Sequence, residues 1–327
     1  PEDVLVHAEV YVRIYFAGMI PSLIYNVGAG LLRAVGDSRR PLYFLISACM
    51  VNIVLDVLLV VGLEMGVAGA AIATIFSQAV SAVLVVLTLL RSHQAYRLEP
   101  RKIRFYGNLL DRIVRIGFPA GLQSVMYSLS NIIIQASINA FGTDIVAAYT
   151  AYGKLDGLYW MMINAFGVSI TTFVGQNFGA GKYDRMRRSV RVCLLMTFGA
   201  TVLMSGFFLL LGEPLYRLFT DDAQVIALGM QILRLLVPTY VTYICIEVLA
   251  GAVRGTGDSL IPTLFTLTGV CLLRVAWVMG VAPAYHSLTV VLLSYPITWT
   301  ITSVLFVIYY LKGGWLKRSI SKAKLEA

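Results

Sequence analysis

The chain has 327 residues, 58% of them apolar and only 13% charged, with a formal net charge of +9. A soluble domain carries about a quarter charged residues, so this composition excludes a soluble enzyme, a disordered chain, a collagen and a disulfide-stapled module. The four cysteines sit far apart in apolar runs with no C-x-x-C pair, so no zinc or redox site is signalled.

At roughly 20 apolar residues per crossing, nine stretches qualify as spans: 4–32, 41–62, 66–90, 113–141, 144–174, 190–212, 224–250, 261–284 and 288–311. None alternates as a barrel strand would. The expected fold class is an all-α polytopic membrane protein, because helices keep their backbone hydrogen bonds internal in lipid. One set of connections holds 21 Lys and Arg residues, whereas the alternate set holds only Arg217. That asymmetry predicts a cytoplasmic basic side, with the C-terminus on it. It also explains the net charge without nucleic acid.

The first span ends at Arg33, and a turn containing Gly36 and Asp37 leads to Pro41. In the second span Asn52 and Asp56 stand four apart, on one helix face. An amide and a carboxylate offer oxygen ligands to a hard cation, and the carboxylate alone can take a proton. Thr74 in the third span adds a hydroxyl. Ionisable groups at membrane depth are functional candidates; the competing reading is an aspartate satisfied by a neighbouring helix. The fourth span carries Ser124, Ser128, Asn131, Gln135 and Asn139 at spacings of 4, 3, 4 and 4. Such a stripe either faces a wetted cavity or bonds to another helix. In the fifth, Lys154 and Asp156 are two apart and do not face each other, so each requires its own partner. They form a second charged candidate, structural or coupling in role.

Arg274 in the eighth span is a further buried cation, with Glu247 as a possible counter-charge. Trp160, Met161, Met162, Phe166 and Trp277 either line an adaptable pocket or face lipid and core. The tail KGGWLKRSISKAK reads as an interfacial anchor, with Trp315 at the headgroups and lysines on anionic lipid.

The turn VGAGLLRAVGDSRRPLYF returns as VLAGAVRGTGDSLIPTLF. Nine identities recur at a constant offset of 221, among them Arg33, Gly36, Asp37 and Pro41 as Arg254, Gly257, Asp258 and Pro262. Six spans separate the copies, so both share one orientation: a parallel repeat. Each copy reads as a tight re-entry turn, or alternatively as a gate at the cytoplasmic mouth. The offset predicts three further helices, in roughly 113 residues, ahead of Pro1. The intact protein would then have twelve helices, of which about nine are present.

The twin R-x-x-G-D-S-x-x-P turns, NIVLD followed by GVAGAAIAT, and FVGQNFGAGKYDR resemble the multidrug and toxic compound extrusion (MATE) family along the whole chain, as its fourth to twelfth helices. The resemblance implies two six-helix lobes around a central cavity, alternating access, and export of organic solutes driven by sodium or proton entry. It places Asn52, Asp56 and Thr74 in the N-lobe cation site, whose further aspartate lies on the absent first helix. Tyr127 stands where one family branch carries a C-lobe glutamate for sodium, which shifts the expected coupling site to Asp56.

The organisation expected is therefore residues 1–90 as the last three helices of the N-terminal lobe, 91–111 as a cytoplasmic linker, 112–311 as a six-helix C-terminal lobe, and 312–327 as a tail. The expected function is a cation-coupled antiporter for organic, cationic or amphipathic solutes in the plasma or inner membrane, not an enzyme. Its partners would be membrane lipid, the small solute, and a sodium ion or proton, with no cofactor, no tightly bound metal and no nucleic acid; it would act as a monomer. The alternative is a flippase or exporter of lipid-linked precursors, which would need a cavity lined by several arginines.

Overall fold

The structure is a computed structural model and describes residues 2–326, with side chains from Glu9 to Ser321. Fourteen α-helices follow one another, and there is no strand among the described residues. They are α1 (Glu2–Ala17), α2 (Met19–Ala34), α3 (Arg39–Asp56), α4 (Gly66–Arg91), α5 (Gly107–Asn139), α6 (Thr143–Gly179), α7 (Tyr183–Arg217), α8 (Ala223–Leu236), α9 (Ile244–Gly255), α10 (Leu260–Thr266), α11 (Leu273–Gly280), α12 (Ala282–Tyr285), α13 (Leu288–Leu311) and α14 (Gly314–Glu326). The chain divides into two compact units, 1–105 and 106–327.

Seven helices, or helices joined through short irregular turns, are long and apolar enough to cross a membrane among the described residues; α1 and α2, bent by 47°, form an eighth as a pair. Nine spans are expected from the sequence. The difference is α5, which is 33 residues long, about 50 Å at 1.5 Å per residue. Its polar stripe and the charges near its start keep it from counting as apolar.

In the first unit α4 is the centre, flanked by α1, α2 and α3. Its core holds Tyr25, Ala29, Leu32, Ala82, Val85 and Leu89. At Gly18, between α1 and α2, a Cβ would collide with the Ile75 side chain of α4, so the bend needs a residue without one. Only 6% of the most apolar window of 39–62 is buried, so that face requires lipid or protein against it.

In the second unit the 37-residue α6 lies against α7, α8 and α9. Its contact with α9 is a seam of glycines. A Cβ at Gly251 would come 2.7 Å from Ile170 and 3.0 Å from the Gly167 carbonyl, and one at Gly255 2.7 Å from the Thr171 carbonyl. Without a hydrophobic drive between helices in lipid, close backbone approach and dispersion supply the attraction. The Thr171 hydroxyl also sits 3.0 Å from the Gly251 carbonyl.

The repeated turns have one geometry. Gly36 has φ 90° and Gly257 φ 88°, a conformation glycine adopts without a Cβ penalty. Their N–H groups donate to the carbonyls of Arg33 and Arg254, each at 2.9 Å. Pro41 and Pro262 then lie in the first turn of α3 and of α10.

Candidate functional site

The helices break at a few places, and the buried ionisable groups lie beside the breaks. Asp56 ends α3, and the next six residues, Val57–Gly62, form a π-helical turn. Such turns widen the helix by one residue and recur at functional sites. Helix α4 crosses this turn at Gly69, where a Cβ would come 3.1 Å from the Leu59 carbonyl. Asn52 Nδ2 and Asp56 Oδ1 are both buried and have no hydrogen-bond partner. Buried polar atoms are rarely left unpaired, so two of them, four residues apart on one face, are a notable local cost. Thr74, on α4, donates its hydroxyl to the Ala70 carbonyl at 2.9 Å, which leaves its oxygen lone pairs free.

A second polar centre lies inside the 106–327 unit. Pro238 has no N–H to continue the helix, and the chain between α8 and α9 runs as a 3-10 turn, Val237–Thr242. The carbonyls loosened there are met by hydroxyls from three other helices: Ser205 of α7 on Val237 at 3.3 Å, Tyr159 of α6 on Tyr240 at 3.0 Å, and Ser303 of α13 on Thr242. This is how a broken helix is tolerated at membrane depth. The same turn aims the Tyr240 hydroxyl at Asp156 of α6, 2.6 Å away. Asp156 also accepts from Trp160 Nε1 at 2.7 Å and from the Tyr152 hydroxyl at 3.1 Å. The Tyr240 ring stacks on Tyr159 with centroids 3.9 Å apart.

Arg274 is 2% exposed and follows a second π-helical turn, Leu267–Leu272. Its Nη2 donates to Thr298 of α13 at 3.2 Å, and its guanidinium lies 4.3 Å from the Tyr295 ring centre, a cation–π contact. Its Nε has no partner. The arginine does not pair with Glu247, as the sequence had suggested, because it points to α13. Glu247 is met instead by Arg254, seven residues along the same helix, at 3.6 Å, and by the Tyr243 hydroxyl at 3.5 Å. Tyr243 in turn touches the Tyr127 hydroxyl at 3.2 Å.

Lys154 is exposed, on a different face of α6 from Asp156. Of the α5 stripe, Ser124, Ser128, Asn131 and Asn139 are exposed and Gln135 is half-buried. Their recorded bonds stay within α5, Gln135 Nε2 donating to Asn139 Oδ1 at 2.9 Å. Of the aromatic and methionine side chains, Met161 is 73% exposed, while Trp277 Nε1 is tied to the Val290 carbonyl at 2.9 Å. In the turns, Asp37 bonds to Arg40 through both N–H and side chain, each at 3.2 Å. Trp315, read from the sequence as a headgroup anchor, is buried against protein, donating to the Tyr310 carbonyl at 3.1 Å. Among the described residues no three His, Cys, Asp or Glu side chains gather as a metal site.

Sequence reasoning missed Tyr152, Tyr240, Tyr243, Tyr295, Trp299 and Thr298. One signal was available for part of this. Tyr152, Asp156 and Trp160 recur at intervals of four on one helix. Tyr240, two residues after a proline inside a span, could be placed only by the fold.

The sequence profile of the MatE family matches residues 1–58 and 119–279, more than half of the chain. A probable multidrug resistance protein of Bacillus subtilis strain 168, YoeA, is 25% identical over 335 residues, covering 98% of this chain and 71% of that protein. A second from the same organism, YpnP, is 29% identical over 274 residues, covering 84% of this chain and 61% of that protein. The solved outward-facing structure of a multidrug resistance MATE family transporter of the MOP superfamily superposes with a TM-score of 0.86 at 22% identity, over 94% of this chain and 70% of that one. The chain thus spans between about three fifths and seven tenths of these three proteins. The helical architecture, the paired glycine turns and the match to the family profile together make this chain a member of the multidrug and toxic compound extrusion family of polytopic membrane proteins.

Proposed function

We propose that the protein exports organic solutes, cationic or amphipathic in character, by alternating access, and that the inward movement of sodium ions or protons drives it through Asp56. The observation that carries this reading is the buried Asp56 Oδ1, which has no hydrogen-bond partner and lies beside a π-helical turn, one helical turn from the Asn52 amide. A structural aspartate would have been given donors, as Asp156 has. An ion or proton that binds and leaves must instead find a carboxylate without committed partners. Occupancy drives transport only if the outward- and inward-open states differ in their affinity for it. The exposed α5 stripe supplies amides and hydroxyls suited to contacting a range of solutes. The names of the relatives, multidrug resistance proteins, agree with this.

A flippase for lipid-linked precursors would need several arginines facing a cavity. Arg274, the fully buried cation among the described residues, is shielded by Tyr295 and Trp299. The experiment is efflux of a fluorescent cation from vesicles of cells expressing the complete gene, under imposed sodium or proton gradients. One gradient should drive export, and Asp56→Asn should abolish the drive while the protein still reaches the membrane. Unchanged gradient-driven export by that variant would overturn the assignment of Asp56.

A further inference from the structure

The turn between α6 and α7 and the turn between α13 and α14 together border a cleft of about 730 Å³. Its charged lining is Lys182, Arg185, Arg187, Lys312 and Lys317, with Asp184 as the only carboxylate. These side chains are exposed, and Arg185 also lies 5.5 Å from the centre of the Phe173 ring. The tail helix that closes the cleft is held in place and does not lie loose. Trp315, Leu316 and Ser319 are buried, the Trp315 ring stacks on Tyr310 at 5.1 Å, and the Ser319 and Thr256 hydroxyls meet at 3.0 Å.

We propose that this cleft binds the phosphate of an anionic phospholipid headgroup. Five cations against one carboxylate favour an anion, and the first turns of α7 and α14 line the same space, so their free amides add to the field. The exposed apolar face of α13 leading to the cleft selects a lipid over a free ion. Val304, Ile308 and Lys312 follow one another at steps of four, hence on one face of α13, and Val304, Ile308 and Leu311 are 51%, 46% and 76% exposed. An acyl chain along that apolar face would bring its headgroup to Lys312. The first unit carries a related feature at the repeat position. A cleft of about 550 Å³ at the end of α4 has Arg40, Arg91 and His93 in its lining, and Arg91 is the residue 221 before Lys312.

The test uses the whole protein purified in a neutral detergent with added phosphatidylglycerol, and counts retained lipid by native mass spectrometry. Lys182→Gln, Lys312→Gln and Lys317→Gln together should lower retention on the order of a hundredfold, from roughly fivefold for each charge. The control Arg188→Gln, Arg191→Gln and Arg318→Gln removes three charges from the same segments outside the cleft and should change retention little. Equal loss in both triples would show unspecific attraction and overturn the proposal. So would displacement of the lipid by millimolar inorganic phosphate, which would make the site one for the free ion. If the first triple fails to fold, Lys312→Gln alone should still lose about fivefold; no loss there is again refutation.

Discussion

A carboxylate that accepts from two tyrosines and a tryptophan inside a helix bundle is held, whereas one without donors is available. Asp156 and Asp56 are that contrast. Tyr240→Phe should therefore cost stability, by about 1–2 kcal/mol, because it removes the shortest bond to Asp156. Thermal unfolding in detergent checks this, and a double-mutant cycle with Trp160→Phe should show coupling between two donors to one acceptor. Around Asp56 the effects should be ordered by ligand strength. Asn52→Ala should lose part of the gradient-driven export and Thr74→Ala little, since Thr74 spends its proton on Ala70. Gln135→Leu on the α5 stripe should leave coupling intact and change which fluorescent solutes are exported. Residue type and spacing alone pointed to Asp56, Asn52 and Asp156. They could not tell which aspartate was partnered, because the partners of Asp156 include a tyrosine 84 positions away.

Helices in lipid are joined by close approach, and the α6–α9 seam shows how little room remains. Gly255→Ala should push α9 from the Thr171 carbonyl and cost about 1–3 kcal/mol, whereas Gly199→Ala, with open space around it, should cost nothing measurable. The repeated turns give a paired prediction. At φ 90° and 88°, Gly36→Ala and Gly257→Ala should each destabilise by about 1–2 kcal/mol, and the double variant should lose the sum. The glycine turns were legible because R-x-x-G-D-S-x-x-P repeats. The two π-helical turns were not, since Val57–Gly62 and Leu267–Leu272 are ordinary apolar runs. They also do not obey the 221-residue offset, so the two halves share their turns but not their breaks.

At the scale of the whole molecule, the charge asymmetry makes a topological prediction. With the exposed native Cys49 replaced, a cysteine at Arg217 should react with an impermeant maleimide in intact cells, and one at Lys312 only after permeabilisation. The reverse pattern would invert the orientation. Composition, span length and the repeat determined by themselves that the chain is helical, lies in a membrane and carries the same turn twice, because each of these is a local or periodic property of the residues. Which carboxylate is satisfied, and where Arg274 and Trp315 point, were decided only by tertiary structure. Hydrogen bonds at membrane depth are made between helices far apart in sequence, and one extra residue in a helical turn re-aims every side chain beyond it.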